Sequence, residues 1–356
     1  MRTDEQKIPL FSILLPTHNR ADVLPFAIRS VLWQTVQNFE LLIVGDGCTD
    51  TTADVIAAFK DDRFRWFDLP KGPHFGYGNR NVALRQAKGT YVAFMAHDDL
   101  WLPDHLQLLA DCLKDDRIEI AYSRPLWVAP NGTITPSTYN LNHPATLAAF
   151  LARQPHSVPA GCVVHRQSCF SKYGYWDENV PSAGDQELWA RIIDGGGRKN
   201  FVYLPEPTCL HFRAVWKTER NAGPDELNAW KVFHQIENFT PPALKISVTD
   251  GKTEQEAFWK VIAPDPKSWT QELRAAVHVI LDQRISLNDK ATLQTFRYSR
   301  SGKSRLQKLA NTFSILAGDF KDVLRWLAWE MATRWRSFKT LLRRSSVKQR
   351  STNRHS

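Results

Sequence analysis

The 356-residue sequence predicts an α/β fold, a mostly parallel sheet with helices on both faces. Two observations carry that expectation. Between residues 8 and 130, short apolar runs of strand length alternate with helical patterns of ten or more residues. The runs are also too continuously apolar to leave a wet face, which is how strands covered on both sides read.

The first strand is expected at 11–15, with Pro16 ending it. A helix over 21–34 and a strand at 39–44 come next, followed by a helix over 51–60 that Asp50 is placed to cap. A strand at 64–68, a helix over 78–87 and a strand at 91–95 continue the alternation. Pro103 suits the first turn of a helix over 103–114, and a strand at 118–122 closes this half. Beyond residue 124 the pattern changes. Segments 125–129 and 133–135 flank Asn131-Gly132, a hairpin signal because such pairs supply positive φ angles. Helices are expected at 144–153 and 185–194, with strands near 161–165 and 201–204. From about residue 219 the segments read as helical, with breaks at Pro241-Pro242, Asp250-Gly251 and Pro264-Asp265-Pro266.

Composition limits the function classes. A hydrophobic content of 43% suits a packed globular protein. The formal charge of +9 is concentrated at the end of the chain: residues 300–356 hold fourteen Lys and Arg against three acids, leaving the rest slightly acidic. A nucleic-acid partner is therefore not expected of the body of the protein. The five cysteines are scattered without a CxxC pair, which points away from zinc knuckles and disulfide frameworks and toward a reducing cytoplasm. No run reaches the length of a membrane span, and the first residues do not read as a signal peptide. The expected location is cytoplasmic, at most peripheral at the inner face of the membrane.

Open sheets of this kind bind ligands beyond the C-terminal ends of their strands. Four polar clusters lie there: Pro16-Thr17-His18-Asn19-Arg20, Asp46-Gly47-Cys48-Thr49-Asp50, Arg80-Asn81 in the following helix, and His97-Asp98-Asp99. A fifth, Asp185-Gln186-Glu187-Leu188-Trp189, opens a later helix. Each has a plain alternative. Asp46-Gly47 is also ordinary turn chemistry, and Asp98-Asp99 also suits a helix cap. Gly76-Tyr77-Gly78 is read as a permissive loop, His18, His74 and His165 as structural or solvent-facing, and Cys162 and Cys169 as buried small residues.

Taken in order, these clusters resemble the inverting family 2 glycosyltransferases of GT-A fold over about residues 8–215. The family's P-T-Y-N-R corresponds to Pro16-Thr17-His18-Asn19-Arg20, and its D-G-S-T-D to Asp46-Gly47-Cys48-Thr49-Asp50. Its A-R-N corresponds to Asn79-Arg80-Asn81, its aspartate motif to His97-Asp98-Asp99, and its E-D-x-x-L-W to Gly184-Asp185-Gln186-Glu187-Leu188-Trp189. The resemblance implies a nucleotide-diphosphate-sugar donor, UDP-linked, and a glycan, lipid-linked or protein acceptor. It assigns Pro16, Thr17 and Asp46 to the nucleobase pocket, Arg20 and Arg80 to the base or diphosphate, and Asp98 to the ribose, with His97 as an outer partner. Asp99, with His211, would hold a divalent cation, Mn²⁺ or Mg²⁺, and Asp185 would be the catalytic base. Two positions depart from the pattern, since family acids are replaced by Ala96 and Gly184.

The implied domain is 8–218, with a nucleotide-binding half at 8–123 and an acceptor half at 124–218. A helical extension over 219–300 is expected to follow it. In 301–344, apolar residues from Leu306 to Leu342 recur in steps of three and four beside tryptophans and arginines. Such a basic amphipathic helix suits an anionic membrane surface, or packing and self-association, equally well. The final stretch, 345–356, is expected to be disordered.

Overall fold

The computed structural model describes residues 8–154, 156, 158–212, 241–248 and 253–281. The expected helix at 301–344 and the tail at 345–356 lie outside the described residues, as does 219–240 of the extension. The chain divides into two compact units, Met1–His278 and Val279–Ser356. The sheet, its helices and the candidate site belong to the first.

The alternation of strand and helix forms as expected: β1 (Phe11–Thr17), α1 (Leu24–Leu32), β2 (Phe39–Asp46), α2 (Thr52–Ala57), β3 (Phe64–Leu69), α3 (Tyr77–Leu84) and β4 (Tyr91–Phe94). A two-residue strand, β5 (Leu100–Trp101), precedes α4 (His105–Cys112). Then come β6 (Ile120–Val128), β7 (Ile134–Pro136), α5 (Pro144–Leu151), β8 (Val163–Arg166), α6 (Cys169–Tyr173), α7 (Gly184–Gly195), β9 (Phe201–Phe212) and α8 (Glu254–Ile262).

The strands form one sheet in the order β3-β2-β1-β4-β8-β6-β9-β5, with β7 paired to β6. The first four strands are parallel, and β8 runs antiparallel between β4 and β6. The sheet is mixed from that point on. Alternate side chains of the central strands feed two cores, as the two-residue period of a strand requires. Ile13, Leu15, Leu41 and Ile43 pack under α1 and α4, while Leu14, Leu42, Val92 and Phe94 pack under α3 and α7.

Two expected strand ends were misplaced. No break separates 118–122 from 125–129, because β6 runs through Pro125 as one strand. Likewise β9, expected near 201–204, continues through Pro205 and Pro207 to Phe212. The two faults have one cause. Where β6 and β9 pair, the register slips twice, from Ser123↔Leu204 to Arg124↔Pro207 to Pro125↔Cys209. The slips leave Pro205, Glu206 and Thr208 without partners, and Pro125 and Pro207 stand at the slips themselves, where the ladder is already irregular and tolerates a missing N–H. The Asn131-Gly132 hairpin does form, with positive φ only at Gly132 (79°).

After residue 240 the chain returns to this unit. Lys245 bridges to Thr133, and α8 lies along α1 with Trp259 stacked on Trp33 at 4.7 Å. No helix among the described residues is long and apolar enough to cross a membrane.

Candidate active site

The parallel register of β1, β2, β3 and β4 brings their C-terminal ends to a common edge. The loops after β1 and β2 are stitched together there. Asn19, held at φ 49°, accepts from the Thr49 amide at 2.7 Å, and Asp50 accepts from the Ala21 amide at 3.0 Å. His18 Nδ1 lies 2.8 Å from the Asp46 carbonyl. Thr17 is buried beside them, and its hydroxyl has no hydrogen-bond partner among the described residues.

Asp46, at 6% exposure, is the centre of this pocket. Its Oδ1 accepts from the Gly72 amide and from Asn79 Nδ2, both at 2.7 Å, and Lys71 Nζ pairs with Oδ2. Burial pushes the Asp46 carboxyl up, but these three donors outweigh it and hold the group below the usual carboxylate range. Gly76, at φ 69°, lets the loop close on the carboxylate, since a Cβ there would stand 2.7 Å from Asp46. The sequence reading of Gly76-Tyr77-Gly78 as a permissive loop does not include Lys71 and gives Asn79, quoted within Asn79-Arg80-Asn81, no role of its own; the signal available was Lys71-Gly72 close before two further glycines.

Arg80 extends the pocket from α3. Its guanidinium lies 5.1 Å from the Tyr77 ring and 4.9 Å from the Trp176 ring, and it donates to the Phe75 carbonyl at 3.2 Å. The negative fields of both Asp185 and Asp46 reach it. Asp185 lies partly exposed in the first turn of α7, where its Oδ1 accepts from the Gln186 amide at 2.9 Å. His156, which the sequence reading did not single out, also lies within the field of Asp185, and burial pushes its imidazole down.

The second group follows β4. Asp99 is fully buried, and both of its oxygens lie 2.9 Å from His211 Nδ1. Oδ1 also accepts from the Phe212 amide at 3.1 Å. Burial is the largest influence on the Asp99 carboxyl and raises it, with His211 opposing. Asp98 keeps some exposure and stands 3.9 Å from Arg20 Nη1 and 4.0 Å from His97 Nε2. Burial pushes the His97 imidazole down, favouring its neutral form. The two residues at 99 and 211 meet because β5 pairs with β9, Leu100 facing Leu210.

Residues 12–174 match the family model described as glycosyl transferase family 2. That stretch, a little under half of the chain, is similar to family 2 glycosyl transferases. The matched stretch includes Asp46, Arg80, Asp98 and Asp99, while Asp185 and His211 lie beyond it. A curated relative, an uncharacterized glycosyltransferase of Rickettsia typhi, is 29% identical over 239 residues, covering 63% of this chain and 70% of its own. The UDP-Glc:alpha-D-GlcNAc-diphosphoundecaprenol beta-1,3-glucosyltransferase of Escherichia coli is 33% identical over 115 residues. That match covers 32% of this chain and 44% of the relative, so the chain spans less than half of that protein. The crystal structure of residues 1–349 of S. aureus TarS in complex with UDP-GlcNAc is similar at 18% identity and a TM-score of 0.48. It covers 63% of this chain and 64% of that one.

At Gly184, where the resemblance leads one to expect an acid, the glycine has a visible reason. A Cβ there would stand 2.6 Å from the Tyr77 ring, whose hydroxyl accepts from the Gly184 amide at 3.0 Å. The aromatic ring occupies the space that an acidic side chain at 184 would need. As for a cation, Asp99 and His211 are the residues whose chemistry would suit it. The two side chains meet at 2.9 Å, the distance of a hydrogen bond or ion pair; a carboxylate and an imidazole are both donor types that a divalent cation such as Mn²⁺ accepts. Among the described residues no cluster of three or more His, Cys, Asp or Glu forms a ready-made cage. The remaining positions would fall to phosphate oxygens and water, as Mg²⁺ prefers.

Proposed function

We propose that the chain transfers a sugar from a nucleotide-diphosphate sugar, UDP-linked, to an acceptor hydroxyl with inversion, assisted by Mn²⁺ or Mg²⁺. The observation carrying this reading is that Arg80 stands in the fields of both Asp46 and Asp185 while Asp99 and His211 pair behind the ends of the same strands. In this reading Asp46, lined by Pro16 and Thr17, accepts the imide hydrogen of the base in place of Lys71. Asp98 takes the ribose, with His97 behind it, and Arg20 and Arg80 face the diphosphate. Asp99 and His211 hold the cation. When bound, the cation neutralises charge that develops on the departing diphosphate.

Asp185 removes the proton of the acceptor hydroxyl as that oxygen attacks the anomeric carbon. The bond to the diphosphate breaks on the opposite face, so one displacement inverts the centre. Arg80, within the field of both carboxylates, is proposed to follow the charge from donor to leaving group. The acceptor is proposed to be a glycan or a lipid-linked sugar in surface glycan synthesis, a reading supported by the lipid-diphosphate acceptor in the name of the E. coli relative.

The test is a thermal-shift and calorimetric screen of nucleoside diphosphates with and without Mn²⁺. UDP is expected to bind only with the metal, Asp99→Ala to lose that binding, and Asp185→Asn to keep it while transfer falls about a thousandfold or more. Normal turnover by Asp185→Asn would remove the base from its role. Tight binding with no transfer by the wild type from any nucleotide sugar would leave a binding module in place of an enzyme.

A further inference from the structure

The turn that carries Asp98 and Asp99 is held from outside the family-matched stretch, which ends at residue 174. The first turn of α8 begins at a conventional cap, with the Thr253 hydroxyl accepting from the Glu256 amide at 3.1 Å. This places Gln255 against the turn, where its Nε2 donates to the Asp98 carbonyl at 2.8 Å. Only a donor satisfies a carbonyl, so the amide's orientation is fixed. The side chain is 3% exposed, and its Oε1 has no hydrogen-bond partner among the described residues. A role in packing alone does not recover the cost of an unpaired buried oxygen.

Two further contacts grip the same stretch. Trp259, one turn along α8, stacks on Trp33, whose Nε1 donates to the Trp101 carbonyl at 2.9 Å. Arg274 grips Asp104 with two bonds of 2.7 and 2.8 Å and also donates to the Pro207 carbonyl. Residues 98 and 104 are thus fastened directly by a segment that follows the sheet, and residue 101 indirectly, through Trp33. Of the three contacts, the one from Gln255 is made directly to the backbone of the aspartate pair.

We propose that Gln255 is a positioning residue: its amide fixes the backbone of the Asp98-Asp99 turn and thereby sets the affinity of the Asp99–His211 pair for a divalent cation. The cation part rests on the function proposed above; the bracing of the turn does not. Gln255→Met removes the donor at nearly constant volume, and Gln255→Glu replaces it with an acceptor. Hydrogen exchange on the full chain without nucleotide is expected to show the amides of 98–102 opening about tenfold more readily in both variants. The Mn²⁺ concentration that half-saturates UDP binding is expected to rise about tenfold, with the melting temperature within about 2 °C of wild type. Conversely, unchanged exchange at 98–102, or unchanged Mn²⁺ dependence beside a binding-competent wild type, overturns the proposal. So does a melting temperature lowered by more than about 5 °C in both variants, which would make Gln255 a packing residue. If the wild type binds no nucleoside diphosphate with Mn²⁺, the glycosyltransferase reading fails, and exchange still decides whether Gln255 braces the turn.

Discussion

At the scale of single residues, the site is governed by what each side chain is prevented from doing. Asp46 is kept ionised by three donors, Asp99 is buried against an imidazole, and Gly184 is kept small by the Tyr77 ring. The last constraint is open to a direct check. Gly184→Ala drives a methyl group into a ring that also stacks on Trp176 at 5.3 Å, so the ring cannot give way freely. Overpacking of this kind costs about 1–3 kcal/mol, measurable as a lowered denaturation midpoint. Because Gly184 adjoins Asp185, transfer is expected to fall more than UDP affinity does. A variant as stable and active as wild type would show the glycine to be incidental.

At the scale of elements, the legible and the illegible parts of the sequence separate by how local their causes are. The strands β1, β2, β3 and β4 begin at the expected residues, because a continuously apolar run bounded by turn residues carries its own signal. The full extent of β6 and β9 was not legible, because whether a strand continues through a residue such as Pro125, Pro205 or Pro207 depends on the register with its neighbour. The clusters that line the site were visible because they follow strands. The meeting of Asp99 with His211, 112 residues later, was implied only by the family resemblance. The grip of α8 on the Asp98 turn left no trace in local pattern at all. That helix is also a structural element in its own right: Phe258 is fully buried and meets Phe212 edge-on at 5.0 Å. Phe258→Ala is expected to cost about 3–5 kcal/mol in chemical denaturation. A loss under 1 kcal/mol would mean that α8 is not part of the cooperative unit.

At the scale of the whole molecule, His105 and His165, away from the candidate site, are held neutral by burial, as His97 and His156 are within it. Burial pushes the His105 imidazole down to about 3, although its Nδ1 lies 2.7 Å from the Thr208 hydroxyl, and pushes His165 down to about 4. In the unfolded chain both return to about 6.5. The unfolded state therefore binds more protons between those limits, and stability rises with pH across them. The contribution is complete above about pH 6.5 and drains away as the pH falls toward the folded values, reaching a loss of about 2 kcal/mol for each histidine at pH 5. Melting temperatures measured from pH 7.5 to 5 should decline accordingly, and His105→Gln should flatten the slope even if it lowers the midpoint throughout. An unchanged slope in that variant would place the acid sensitivity elsewhere.

The pairing of β5 with β9 also bears on the order of assembly. β1 and β2 can align soon after synthesis, since little chain separates them. Leu100 must wait for Leu210, and the Asp98 carbonyl for Gln255, so the edge that bears Asp98 and Asp99 closes through contacts more than a hundred residues apart. Long-range closures of this kind are slow because loop entropy is lost before the contacts reward it. A nascent chain halted near residue 200 would hold a parallel sheet whose aspartate turn has neither its imidazole nor its brace. Competence for chemistry is acquired last, after most of the hydrophobic interior is in place.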